Sequence, residues 1–82
     1  MVGGVMELDL HGMNTYQAQI AIDAALRRCG GGVYRLRLIH GYRGGSALME
    51  VVRSGVRSKR IARRCVTMNP GVTVYFLKEI KK

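Results

Sequence analysis

Asp9 and His11 are the two side chains whose types and spacing best suit chemistry. They lie two positions apart at the end of an alternating apolar stretch. On a β-strand both would point to the same face, with their Cα atoms roughly 6–7 Å apart. A histidine titrates near neutrality and can act as general base or acid, and a neighbouring carboxylate can orient it or raise its pKa. Phosphodiester cleavage needs such a proton transfer. The alternative is that Asp9 pairs with Arg35 or Arg37 and that His11 only caps the following turn.

A second histidine, His40, also closes an apolar stretch, and it opens a glycine-rich loop. It could supply a further acid–base group or a phosphate contact, or it could be a hydrogen-bonded histidine that holds the loop. Glycines allow close backbone approach, and N–H groups at the start of a helix can bind a phosphate. The candidate nucleic-acid contacts of this loop are Gly41, Tyr42, Arg43, Gly44, Gly45 and Ser46. Arg43 favours anion binding, Tyr42 could stack on a base or simply pack, and a plain tight turn is the alternative for the whole loop.

The charge balance points to a polyanionic partner. Lys and Arg number 14 against five acids, which gives a net charge of +9. Most of these cations are arginines, whose planar fork suits phosphate contacts. A basic run over residues 53–64 contains no acid and would bind a nucleic-acid backbone without sequence preference. The candidate binding arginines outside the loop are Arg35, Arg37, Arg53, Arg57, Arg60, Arg63 and Arg64. The alternative is a solvated basic surface that aids solubility.

Several classes of protein are excluded or disfavoured by composition. No segment reaches the roughly 18 apolar residues of a membrane span, so no membrane partner is expected. The first ten residues lack a basic start and contain Glu7 and Asp9, unlike a secretory signal. Cys29 and Cys65 lack the paired spacing of a zinc site, and as buried free thiols they fit a cytoplasmic location. The sequence requires no metal, although Glu7 and Asp9 could bind a divalent cation, and the cofactor question stays open.

Periodicity predicts the elements that would position these residues. Strands are expected at about 6–10, 33–39, 65–68 and 72–78, and helices from the Asn14 cap to about residue 28 or 29 and at about 47–57. Asn14 and Gln17 have the spacing of a capping box, and Asn69-Pro70-Gly71 predicts a hairpin turn. The first two strands carry charges on one face only. We therefore expect an α/β fold of the α+β two-layer type, βαβαββ, with a four-stranded mixed sheet and both helices on one side. One domain over residues 1–82, with its core at about 6–78, accommodates all of these elements.

Three motifs in this order resemble the small MutS-related (Smr) domain family. They are Leu8-Asp9-Leu10-His11-Gly12, then Ile39-His40-Gly41 with its glycine-rich loop, then Asn69-Pro70-Gly71-Val72-Thr73. The resemblance implies a fold similar to the C-terminal domain of bacterial translation initiation factor three. It also implies that Asp9 and His11, from the LDxH motif, are catalytic candidates and that His40 and the loop belong to a nucleic-acid contact. The chain departs from the family pattern at Arg43, where the second motif usually has glycine.

Smr domains are known as nucleic-acid-binding modules, several of which nick DNA or cleave RNA, and some of which act at stalled ribosomes. The resemblance therefore implies a nucleic-acid-binding domain whose partner is RNA or DNA, with RNA or a ribosome-associated site favoured. Two hypotheses follow. The chain is an endonuclease that uses Asp9, His11 and His40, or it is a non-catalytic RNA- or ribosome-binding adaptor on the same fold.

Overall fold

The elements follow one another in the order β, α, β, α, β, β. A computed structural model describes residues 4–29, 32–41 and 47–78. The strands are β1 (Val5–Asp9), β2 (Arg35–Ile39), β3 (Ile61–Val66) and β4 (Val72–Leu77), and the helices are α1 (Thr15–Arg28) and α2 (Ala47–Glu50), which continues as a π-helical turn (Val51–Gly55). None of the helices in this part of the chain is long and apolar enough to cross a bilayer.

The four strands form one mixed sheet in the order β1-β2-β4-β3. β1 and β2 are parallel, and β4 is antiparallel to both of its neighbours, β2 and β3. The predicted mixed sheet and closing hairpin are therefore confirmed. Asp9 pairs with Ile39 at the last position of the parallel register, and the Leu10 N–H extends the ladder to the Ile39 carbonyl at 2.7 Å. His11 and His40 consequently emerge at the same edge of the sheet.

α1 begins and ends as its sequence predicts. The Asn14 side chain accepts a hydrogen bond from the Gln17 N–H at 2.7 Å, and the Gln17 side chain accepts one from the Asn14 N–H at 3.1 Å. This reciprocal capping box satisfies donors that the first turn would otherwise leave unpaired. The buried face of the helix consists of Ala18, Ile22, Ala25 and Leu26. The helix thus covers the sheet with small and branched apolar side chains and leaves its polar face to solvent.

One hydrophobic core lies between the helices and the sheet. Leu36 and Leu38 of β2 and Tyr75 of β4 are fully buried against α1 and against Val52 of the π-helical turn. The Tyr75 hydroxyl donates a hydrogen bond to the Val52 carbonyl, so this large buried side chain is also bonded to the π-helical turn. Both helical segments contact this one core, which confirms the predicted two-layer arrangement. The other face of the sheet, here called the open face, is covered by no helix in the described part of the chain.

The boundaries differ from prediction in two places. β3 begins at Ile61 instead of residue 65, with a bulge between Ile61 and Arg63. The sequence pattern places residues 61–64 in the basic run and not in a strand, because pairing with β4 is a tertiary effect that local propensity does not report. The second helix was expected to continue regularly to about residue 57. Instead the helix changes from α to π geometry at Val51, and the Val56 N–H bonds to the Val51 carbonyl, five residues earlier, at 3.1 Å. Gly55, a weak helix former, lies in this turn.

Candidate functional site

The Asp9–His11 pair lies at the carboxyl end of β1 and is exposed to solvent. Oδ1 of Asp9 accepts hydrogen bonds from the His11 backbone N–H at 3.1 Å and from the His11 ring, whose Nδ1 lies 2.6 Å away. The side chain of His11 is 74% exposed and that of Asp9 is 54% exposed. A tight turn follows, in which the Met13 N–H bonds to the Leu10 carbonyl and Gly12 has φ 82°. The turn requires this positive φ, which glycine adopts without strain.

The two groups shift each other's titration in opposite directions. The hydrogen bond to Asp9 raises the pKa of His11 above 6.5, and the same bond lowers the pKa of Asp9 below 3.8. Because an ionised carboxylate can only accept, the proton between them lies on Nδ1 of His11. Nε2 then faces solvent with a free lone pair in the neutral ring. This atom can take a proton from a substrate and, once charged, give one back.

Asp9 does not pair with Arg35 or Arg37 in the structure, which was the alternative role for this carboxylate. Arg37 bonds to Glu7 across the two parallel strands, with Nη1 2.5 Å from Oε2. The guanidinium of Arg35 lies over the rings of Tyr34 and Phe76. Asp9 is therefore left to orient His11.

His40 lies below the same edge, in a different environment. Its side chain is buried, with 4% of the residue exposed. Nδ1 lies 2.7 Å from the Gly41 carbonyl, and Nε2 lies 2.9 Å from Oγ1 of the fully buried Thr73. Since a carbonyl only accepts, Nδ1 carries the proton and Nε2 accepts from the Thr73 hydroxyl. Both ring nitrogens of His40 are engaged in hydrogen bonds. Of the two roles considered for His40, this geometry agrees with a histidine that holds the loop by hydrogen bonds. Thr73 belongs to the third sequence motif, but the sequence pattern indicates no role for it at the site.

The hairpin turn before β4 is bonded to the backbone of the His40-Gly41 segment. The carbonyl of Gly71 accepts hydrogen bonds from the N–H groups of both His40 and Gly41, at 2.9 and 3.0 Å. Gly41 has φ 73°. A Cβ at Gly71 would lie 3.2 Å from the Cα of Gly41, so a larger residue would fit only if the Gly41 backbone shifted by a few tenths of an ångström. The Asn69 side chain accepts from the Gly71 N–H at 2.9 Å and closes the turn. All three sequence motifs thus meet at one edge of the sheet.

The remaining loop candidates, Tyr42, Arg43, Gly44, Gly45 and Ser46, lie outside the described residues. The structure does place the arginines of the basic run, and they divide into two groups. Arg60 donates to the carbonyls of Cys29 and Val33 through its guanidinium, at 2.9 and 3.2 Å. Arg64 donates to the Val56 carbonyl and lies over the Tyr75 ring.

These two arginines are partly buried and connect elements of the fold, a role that a count of charges could not reveal. Arg53 is partly buried, with Nε 3.4 Å from Oγ1 of Thr73. Arg57 and Arg63 are exposed and can reach a partner from solvent.

Within residues 4–29, 32–41 and 47–78, no group of three or more His, Cys, Asp or Glu residues lies close enough to hold a metal ion. The two carboxylates considered for a cation are each engaged, Glu7 by Arg37 and Asp9 by His11. Cys29 is buried and Cys65 is partly buried, and both are free thiols.

Comparison with known proteins identifies the family. The model of the Smr domain family matches residues 8–72. The crystal structure of the Smr domain of Thermus thermophilus MutS2 superimposes with a TM-score of 0.80 at 33% sequence identity, covering 89% of this chain and 98% of that one. No curated protein matches the chain. The matched region contains the Asp9–His11 pair and the His40-Gly41 segment, and it extends to the hairpin turn. The chain belongs to the Smr domain family.

Proposed function

We propose that this Smr domain binds nucleic acid and cleaves RNA, with His11 as the proton-transfer group and Asp9 as the residue that orients it. The observation that carries the proposal is the exposed hydrogen bond between Nδ1 of His11 and Asp9, which leaves Nε2 directed to solvent at the edge of the sheet. The family is associated with nucleic-acid binding and nicking endonuclease activity, and the net charge of +9 supports a polyanionic partner. A ribosome-associated RNA and a cytoplasmic location are part of the proposal.

RNA suits this pair because it carries its own nucleophile. Nε2 of His11 accepts the proton of a ribose 2′-hydroxyl while that oxygen attacks the adjacent phosphorus. The bond from phosphorus to the 5′ oxygen breaks, and the leaving oxygen takes a proton from the imidazolium or from water. The products are a 2′,3′-cyclic phosphate and a 5′-hydroxyl. Asp9 stabilises the imidazolium formed in the first step. On sequence grounds, Gly41 and residues 42–46 are the proposed contacts to the phosphate oxygens.

The second candidate is an adaptor that binds RNA or the ribosome without cutting. One observation favours it: both ring nitrogens of His40 are occupied, so His11 carries the exposed imidazole within the described part of the chain. An enzyme that needs two separate acid–base histidines could not use this arrangement. Binding through the basic surface would then be the whole activity.

Cleavage assays with matched carboxylate variants separate the two candidates. The purified protein is incubated with labelled structured RNA and with supercoiled plasmid, each with and without chelator. Asp9→Asn and His11→Gln are compared with Asp23→Asn, which removes the same charge from the exposed face of α1. We expect both site variants to lose cleavage by roughly 100-fold or more, the usual contribution of a general base, and Asp23→Asn to cleave normally. Salt-sensitive binding by all of these proteins without cleavage by any would establish the adaptor.

The pH dependence of cleavage gives an independent check. His11 acts first as a base, so the rate rises with pH as the imidazolium loses its proton. Because Asp9 raises the pKa of His11 above 6.5, the midpoint of this limb lies above 6.5. Asp9→Asn removes the charge that holds the proton and moves the midpoint toward lower pH. If the midpoint of the pH–rate profile were the same in Asp9→Asn and the wild-type protein, a group other than His11 would control the rate.

A further inference from the structure

The open face of the sheet carries a row of alternating cationic and aromatic side chains. The register places Arg35, Phe76 and Arg63 side by side on β2, β4 and β3. The guanidinium of Arg35 lies 5.1 Å from the centre of the Phe76 ring on one side, and that of Arg63 lies 4.7 Å from it on the other. Arg35 is also 5.5 Å from the centre of the Tyr34 ring. We call these four residues, Tyr34, Arg35, Phe76 and Arg63, the stacked row.

The stacked row is ordered but has unused stacking surfaces at its ends. Tyr34 is 48% exposed, and Arg63 is exposed as well. Phe76 lies between two guanidinium groups and is only partly exposed. Nε of Arg35 is buried without a hydrogen-bond partner among the described residues, and the guanidinium contacts both rings. Aromatic rings and guanidinium planes are the surfaces on which unpaired bases stack.

The charge of this face fits a polyanion. Arg35, Arg37 and Arg63 lie on it. Both carboxylates that β1 places there are engaged, Glu7 in an ion pair with Arg37 and Asp9 in a hydrogen bond with His11. Val74 and Cys65 pair with each other between the charged residues and make the centre of the face apolar. A duplex would present only its phosphates to such a surface, because its bases are already stacked on one another. An unpaired strand would present both phosphates and bases, which is what alternating cations and rings can use.

The same face leads to the proposed cleavage site. Val5, Glu7 and Asp9 alternate along β1, and Val5 is level with the stacked row through its pairing with Arg35. Asp9 lies four residue steps after Val5, about 13 Å at the rise of a β-strand. About four stacked nucleotides, each rising about 3.4 Å, span this distance. A strand lying on the open face would therefore reach the edge where His11 lies.

We propose that the open sheet face binds an unpaired nucleic-acid strand by stacking bases on the exposed ends of the stacked row, Tyr34 and Arg63. The inference rests on the nucleic-acid binding proposed above, not on cleavage, and it names the substrate class as a strand with an unpaired segment beside the scissile bond. It differs from the backbone contacts expected of the glycine-rich loop because it depends on the bases.

Binding titrations with three probes test the dependence on bases. Fluorescence anisotropy is measured with a short oligouridine, with an abasic oligomer of equal length and with a blunt duplex of equal length. The test variant is Tyr34→Leu/Arg63→Gln, in which both residues replaced are exposed. Arg27→Gln removes one positive charge from the exposed face of α1, in the other layer, and serves as the charge control. Tyr34→Leu alone separates the ring from the charge.

We expect the wild-type protein to bind oligouridine more tightly than the abasic oligomer. The double variant should lose roughly fivefold or more in affinity for oligouridine, the effect of one lost stacking contact, and Tyr34→Leu alone should lose part of it. The affinity of the double variant for the abasic oligomer should fall no further than the affinity of Arg27→Gln for the same oligomer. Equal binding of oligouridine and abasic oligomer, or equal losses in the test and control variants, would overturn the inference while leaving backbone binding intact. Failure of all three probes to bind even in low salt would refute the nucleic-acid function itself.

Discussion

Replacing Thr73 with valine tests whether His40 holds the loop at the sheet edge. Valine keeps the branched shape of threonine but lacks Oγ1, the atom 2.9 Å from Nε2 of His40. Both residues are buried, so the imidazole nitrogen would be left without its partner inside the fold. An unpartnered buried polar group costs about 1–3 kcal/mol. A domain of 82 residues typically has about 4–12 kcal/mol of stability in total, so the loss is a large share.

The expected change is large enough to measure by thermal and urea unfolding followed by circular dichroism. For a domain of this size each kcal/mol moves the unfolding midpoint by about 4–8 °C, so Thr73→Val should lower it by roughly 4–24 °C. Ser54→Ala is the control, because it removes an exposed hydroxyl that bonds to the Glu50 carbonyl at 2.9 Å. Its free energy of unfolding should stay within about 0.5 kcal/mol of the wild-type value.

Equal stability of Thr73→Val and Ser54→Ala would refute this reasoning, because the His40–Thr73 bond would then contribute nothing to the fold. A second readout separates a positioning role for His40 from proton transfer. At a temperature where Thr73→Val is folded, its cleavage should keep the wild-type pH profile, since the midpoint reports His11. A shifted profile would place His40 among the groups that transfer protons.

Substitutions at three further positions, Gly41, Asn14 and Arg57, probe the elements around the site. Gly41→Ala should lower the free energy of unfolding by about 1–2 kcal/mol in urea titrations, because Gly41 has φ 73° and alanine disfavours that region. Gly41→Asn should lower it by less, because asparagine adopts that region more readily. Nothing lies within 4 Å of a Cβ at Gly41, so an equal loss in both variants would point to a cause other than backbone conformation. Asn14→Ala removes the cap of α1 and should cost about 1 kcal/mol in the same titration, whereas a neutral result would show that the capping box is not needed. Arg57→Gln should reduce the slope of log K against log salt for RNA binding by about 1 if Arg57 contacts a phosphate, and an unchanged slope would remove it from the interface.

The architecture could be predicted because its local signals agree with one another. The Asn14–Gln17 box, the apolar face of α1 and the hairpin turn at Asn69 each specify one boundary, and the structure has all three. The start of β3 at Ile61 could not be predicted, because its arginines lack the apolar character of a strand. Arg60 and Arg64 can be partly buried because the backbone carbonyls of Cys29 and Val56 accept hydrogen bonds from their guanidinium groups.

The candidate site was predictable to the extent that it is local. Asp9 and His11 are two residues apart on one strand, so their bond follows from strand geometry. The role of His40 depends on Thr73, which is 33 positions away, and sequence spacing could not choose between a catalytic and a loop-holding histidine. The stacked row likewise joins residues from three strands, and its register exists only once the sheet has formed.

The position of β4 has a consequence for how the edge around His11 is assembled. This strand comes last along the chain, yet it lies between β2 and β3 in the sheet. It also brings Thr73 to His40, directly after the Gly71 carbonyl that receives the His40 and Gly41 amides. During synthesis, the residues that precede β4 can form a two-stranded parallel pair but cannot complete either the sheet or the edge. A chain that stops before β4 would therefore keep the local Asp9–His11 pair but lack the bonds that Gly71 and Thr73 make to the His40-Gly41 segment, and the full edge would form only when folding is complete.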